Sequence, residues 1–133
     1  MATIDVSDET RLEVVAQKQA YTSDPTTAVV DLNNFESALI VIDAGSYTDG
    51  THAFSVDESD QSGSGFSSVD GGQLSQSPPT IDGAADDDQQ YYIGYTGDQR
   101  YIDVNVSVSG TSTGAIYGIY VIKGDPHRAP LSV

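Results

Sequence analysis

Cysteine and tryptophan are absent from this 133-residue chain, and two lysines and three arginines stand against sixteen aspartates and four glutamates. Each scarcity excludes something. Without cysteine there is no disulfide framework, no thiolate metal site and no thiol nucleophile. Without tryptophan, and with only three phenylalanines, a sugar-stacking cleft of the kind glycosidases build around a carboxylate pair is disfavoured. With five basic residues and a net charge of -15, the surface repels phosphates, so nucleic acid is not an expected partner. No apolar run approaches the roughly 18 residues of a membrane span. The longest, Ala38 to Ile42, is strand-sized, and no membrane association is expected. The first residues, MATIDVSDETR, lack the basic and apolar regions of a secretory signal, which points to a cytoplasmic origin.

An acid excess this large opposes compaction through self-repulsion unless the medium screens it. At molar salt the Debye length falls to about 3 Å and the penalty fades, so the composition reads as salt-adapted. High charge with few aromatics is also the signature of disorder. The regular apolar patterning argues against that, and 133 residues suffice for one core without metal or cross-links.

Strand signals recur along the chain. In Tyr101 to Val108 (YIDVNVSV), Ile102, Val104, Val106 and Val108 fall on one face and Tyr101, Asp103, Asn105 and Ser107 on the other. After Ser109-Gly110 the chain resumes as AIYGIYVIKG from Ala115, too apolar and β-branched for an edge; the two runs are expected to form a hairpin. Ser37 to Asp43 (SALIVID) reads as a sandwich-core strand. Asp49-Gly50 is a type I′ turn dipeptide before His52 to Asp57, which suggests a second hairpin. Gln90 to Thr96 is a further strand, joined to Tyr101 by a tight turn at Gly97 to Arg100. Ala28 to Leu32 and Phe66 to Val69 are short candidates. Leu12 to Tyr21 fits a short helix or a strand, with its neighbours favouring strand. Glu58 to Gly65 and Gly71 to Asp88 read as surface loops. The expectation is an all-β, single-domain antiparallel β-sandwich of seven or eight strands, jelly-roll-like or immunoglobulin-like, with jelly-roll preferred. It spans residues 1–123, of which 1–11 are an N-terminal arm candidate, and 124–133 form an extended C-terminal arm with two prolines and no alternation.

Chemistry is thin. His52 could join Asp43 or Asp57 and a serine in a formal triad, but no Gly-x-Ser-x-Gly elbow is present, and no catalytic residue is assigned. Asp57, Glu58 and Asp60, and the run Asp86, Asp87 and Asp88, are hard-oxygen groups that suit weakly held calcium, magnesium or potassium, yet neither has EF-hand spacing. SGSG at 62–65 lacks the Lys-Ser/Thr of a phosphate loop. Tyrosine supplies eight of the eleven aromatics, and alternation sends part of the set to an outer face, where such residues favour protein contacts. Tyr92, Tyr95, Tyr117 and Tyr120, with the scarce cations Arg100, Lys123 and Arg128 and with His127, are the interface candidates.

The segments Asp43-Ala44-Gly45, Thr48 to Thr51, Glu58 to Asp60, Tyr92 to Tyr95, Arg100 to Ile102, Val108 to Thr111 with Thr113-Gly114, and Pro126 to Pro130, in that order, resemble the small proteins encoded beside the major capsid protein in tailed bacterial and archaeal viruses. The resemblance covers roughly residues 28–130. It departs where His127 precedes Arg128 and in the acidic loop at 82–88, which leaves the partner surface unspecified. It implies a non-enzymatic virion structural protein, a capsid decoration or minor capsid protein on the surface of an HK97-like shell. The implied partners are the major capsid protein and further copies of the chain, most simply as a trimer. With the acid excess it implies a virus of a halophilic archaeon. A low-copy head spike, turret or tail component, and a receptor- or glycan-binding module, are the alternatives.

Overall fold

A computed structural model describes residues 6–127. Its strands are β1 (Arg11–Tyr21), β2 (Val30–Asp31), β3 (Phe35–Tyr47), β4 (Thr51–Ser59), β5 (Ser67–Ser68), β6 (Thr80–Ile81), β7 (Gln90–Tyr95), β8 (Tyr101–Ser109) and β9 (Ala115–Pro126). They form two antiparallel sheets, ordered β1-β9-β3-β7 and β2-β8-β4-β5, with β6 also paired to β4.

The pairing is nested. β1 pairs β9, β2 pairs β8, β3 pairs β7, and β4 pairs both β5 and β6. The first half of the chain thus lies antiparallel to the second as one long hairpin, rolled so that successive strands alternate between sheets. That is the jelly-roll path, with β5 and β6 together filling the place of one strand on the far side of β4. Nine strands therefore satisfy the expected seven or eight.

The two expected hairpins do not form. β3 and β4 lie in different sheets, as do β8 and β9, and as do β7 and β8. The Gly and Asp signals that suggested tight turns instead mark corners where the chain crosses the sandwich. Gly50, Gly110 and Gly114 all have positive φ. At Gly114 a β-carbon would sit 1.9 Å from the Tyr21 carbonyl oxygen, so that corner accepts only glycine. The Asp49 carboxylate locks the two corners together, accepting N–H groups from Ser112, Thr113 and Gly114, the last at 2.6 Å.

Alternation builds the core. Ile102, Val104 and Val106 of β8 face Ile40, Ile42, Ile93, Ile119 and Val121 across the interior, all essentially buried. Each such side chain contributes roughly 1.5–3 kcal/mol of burial. Tyr117 lies at the centre with no exposure, its ring 4.9 Å from Tyr21, 5.3 Å from His52 and 5.1 Å from Phe54.

Several boundaries differ from expectation. Thr80–Ile81 forms a strand inside the expected loop at 71–88, paired edge to edge with β4, where Ile81 lies opposite His52 and is buried. The supposed C-terminal arm begins later than residue 124: β9 runs through Pro126, with Gly124 opposite Ser37. Arg128 and the rest of that arm, like residues 1–5, lie outside the described residues. β1 is a strand rather than a helix, carrying register shifts between Val14 and Ala16 and between Ala16 and Gln19. Such bulges help to keep an edge strand from pairing with a foreign chain.

Candidate functional site

Antiparallel order brings the start of β1 and the finish of β9 to the same end of the sandwich, with Arg11 opposite Lys123. The β2–β3 and β7–β8 connections arrive there too. Between them is a cleft of about 360 Å³, lined in part by Asn33, Phe35, Glu36, Asp98, Arg100 and His127. In a chain this acidic the local concentration of cations is notable. Arg100 donates two hydrogen bonds of 2.9 Å to the Asp31 carboxylate and lies 5.1 Å from the Tyr101 ring centre. Lys123 reaches Glu13 and the Asp31 carbonyl, each at 3.2 Å, over the ring of Phe35. His127 pairs with Glu36. The Arg100 fork holds the Asp31 carboxyl below its usual range, and Asp31 in turn raises the guanidinium pKa.

The interface candidates therefore separate into groups. Arg100 and His127 are solvent-accessible at this end. Lys123 is not: it is 8% exposed, because it points inward at the end of the core where Glu13 and a backbone carbonyl satisfy it. Tyr95 is also buried, donating to Glu58 at 2.6 Å while its ring occupies the space that a side chain on Gly97 would need. Burial and the Glu58 carboxylate push its hydroxyl pKa up. Tyr117 belongs wholly to the core. These three are corrections to the expected interface set, and each follows from the inward phase of its strand. Tyr92 and Tyr120 face outward, and Tyr92 is 53% exposed.

The acidic candidates serve largely as structural acceptors. Asp57 accepts from Asn105, Asp86 accepts from Tyr91 and the Asp82 N–H, and Asp87 accepts from the Tyr47 N–H. The Tyr91 hydroxyl is pushed up to about 12 by burial and by Asp86. Asp88 adopts positive φ and donates its N–H to the Gly45 carbonyl; Asp60 is exposed. Among the described residues, no three His, Asp or Glu side chains converge on a point where they could hold a metal ion.

His52 is fully buried. Its Nδ1 is 3.0 Å from the Tyr117 hydroxyl and its Nε2 is 3.1 Å from the Asp49 carbonyl. A carbonyl only accepts, so Nε2 carries the proton and Nδ1 accepts from tyrosine. Both nitrogens are thereby occupied, and the formal pairing of His52 with Asp43 or Asp57 does not occur. Asp43 instead binds Gln90 and Lys18.

One surface was only partly read from the sequence, which named its Tyr92 and Tyr120 but not the aliphatic residues around them. The outer face of the β1-β9-β3-β7 sheet carries two in-register rows: Leu12, Ile122, Leu39 and Gly94, then Val14, Tyr120, Val41 and Tyr92. Neither row contains a charge. Its signal was the unbroken apolarity of SALIVID and AIYGIYVI, since a strand with a single buried face should alternate.

No helix among the described residues is long and apolar enough to cross a membrane. Compared with protein-family models, curated proteins and solved structures, the chain matches none of them.

Proposed function

We propose that this is a non-enzymatic virion structural protein that decorates and stabilises an HK97-like icosahedral capsid by protein–protein contact at high salt. One observation carries the reading: the start of β1, the finish of β9 and the cation-bearing cleft with Arg100 and His127 share one end of a jelly roll. A decoration protein needs a rigid body with its binding groups gathered on one side. At molar salt long-range steering is screened, so docking rests on short contacts of the kind this end offers: half-exposed Arg100, His127 and the exposed side chains of Asn33, Glu36 and Asp98. The sequence resemblance supports the same reading. Binding only to assembled shell would stabilise that shell by mass action.

The test is the molar ratio of this protein to major capsid protein in purified virus particles, measured by quantitative mass spectrometry. A ratio near one to one is expected. A handful of copies would move the protein to a spike, turret or tail, and absence from particles would overturn the virion reading. Removal of residues 128–133 spares all of β9 and is expected to weaken retention on particles.

A further inference from the structure

A glycine that follows an aspartate has no β-carbon to crowd its own peptide nitrogen or to restrict its backbone. The chain contains three such pairs, Asp49-Gly50, Asp70-Gly71 and Asp82-Gly83. In each, the glycine nitrogen can meet the aspartate Cγ if the side chain and the backbone between them are free to turn. The fold treats the three differently.

At Asp49 the carboxylate is fixed by the N–H groups of Ser112, Thr113 and Gly114. Gly50 is fixed as well: its φ is 92°, and a β-carbon on it would run into Thr111 and the Ser109 carbonyl. At Asp70 a single bond restrains the side chain, which accepts the Gly72 N–H at 3.1 Å and caps the turn at 71–73. Asp82 is exposed, and among the described residues no hydrogen bond or ion pair holds its carboxylate. Its own N–H donates to Asp86 at 3.1 Å, which ties the backbone ahead of the pair and leaves the side chain loose. Gly83 is extended, with φ -165° and ψ 169°, and a β-carbon there would meet nothing within 4 Å. Carboxyl and glycine are both unrestrained at this pair alone.

We infer that Asp82-Gly83 is a site of spontaneous backbone isomerisation in the folded protein. The Gly83 nitrogen attacks Cγ of the protonated Asp82 carboxyl. A C–N bond forms, the nitrogen's proton and the departing hydroxyl leave as one water, and a five-membered succinimide closes. Water then opens the ring. Attack at Cγ restores Asp82, whereas attack at the α-carbonyl carbon leaves Gly83 joined through Cγ, as isoaspartate. One water is lost and one is gained, so no co-reactant beyond water is needed and neither mass nor charge changes. The product carries one extra backbone methylene between buried Ile81 and the turn whose Asp86 and Asp87 accept from the Tyr91 hydroxyl and the Tyr47 N–H. It thereby slackens the tether of the acidic 82–88 loop to the sandwich.

This inference concerns the purified protein alone and does not rest on the virion reading. Its test ages the chain for weeks at neutral pH, folded in molar salt and, in parallel, unfolded in guanidinium, with circular dichroism confirming each state. Isoaspartate is measured by methyl transfer from labelled S-adenosylmethionine with an isoaspartyl methyltransferase, and placed by peptide mapping. In the folded chain it is expected to accumulate at 82 at least about tenfold faster than at 49, where the reacting groups cannot reach attack geometry, with 70 in between. In the unfolded chain the three are expected to react at similar rates. Gly83→Ala, which the open space around that residue accepts, is expected to keep the fold and to slow the reaction at 82 about tenfold. No isoaspartate at 82 in the folded chain, as much at 49 as at 82, an unfolded chain as selective as the folded one, or an undiminished rate in Gly83→Ala would overturn the proposal.

Discussion

Asp57 and Asp103 stand directly opposite each other in the β4–β8 ladder, two carboxylates on the outer face of one sheet. Desolvation, and then the charge of Asp57, push the Asp103 carboxyl above its usual range, while Thr27 holds it with a 2.7 Å hydrogen bond. Like charges opposite one another destabilise a sheet by about 0.2–1 kcal/mol, and salt screens the repulsion.

Asp103→Asn keeps an oxygen for Thr27 and removes the repulsion. It is expected to raise the melting temperature by a few degrees in moderate salt and by progressively less as salt approaches the molar range. Thermal melts followed by circular dichroism at several salt concentrations check this. An unchanged or lowered melting temperature in moderate salt would count against the account.

Three other aspartates are shifted the opposite way. The Gly114 and Thr113 N–H groups hold the Asp49 carboxyl low, Arg100 does so for Asp31, and Gln90 with Lys18 for Asp43. A depressed folded pKa lends stability that is complete above the ordinary aspartate value of about 3.9 and is lost as pH falls through the lower folded values. Asp103 works against this trend, gaining stability as pH drops from its raised value towards 3.9. The prediction is acid unfolding beginning below about pH 4, with a shallower pH dependence in Asp49→Asn, which is also less stable at neutral pH. A variant with the same acid transition as the parent would show that the Asp49 staple is energetically idle.

At the core, a buried side-chain hydrogen bond between His52 of β4 and Tyr117 of β9 joins the two sheets. Tyr117→Phe preserves the packing but leaves Nδ1 of His52 without its donor. An unmet buried acceptor costs about 1–3 kcal/mol, to be read from guanidinium unfolding midpoints. His52→Ala adds a cavity and is expected to cost more. Equal stability of Tyr117→Phe and the parent would mean that another donor serves the ring.

The strands were legible because their apolar residues recur with period two: Ile102, Val104 and Val106 are buried as that spacing requires, and the position of Ala115 onward inside a sheet followed from its apolarity. Their partners were not legible. Asp49-Gly50 and Ser109-Gly110 have the composition of hairpin turns, but the hydrogen bonds from residues 112–114 to Asp49 bridge 63 to 65 positions, and no local pattern reports that. Tyr95 and Tyr117 looked like surface candidates because tyrosine carries a polar tip; the partners that satisfy those tips, Glu58 and His52, are distant in sequence. The cation-bearing end was only half visible, since Arg100 was identifiable as a scarce charge and His127 as one of two histidines, while their convergence depends on the nested pairing.

The acid excess itself makes the last prediction. Among the described residues, Lys18, Arg100 and Lys123 are already paired to Asp43, Asp31 and Glu13, so few basic groups are left to neutralise the other carboxylates. In dilute buffer the Debye length reaches about 30 Å at 0.01 M, which spans a domain of this size, and every unpaired carboxylate then repels the rest. The fold should lose its β-sheet circular dichroism as salt is lowered and recover it when salt is restored, with potassium and sodium chloride equally effective if screening is the cause. A few millimolar calcium or magnesium restoring the fold at low ionic strength would instead require defined cation sites. A chain that stays folded in dilute buffer would remove the salt-adapted reading altogether.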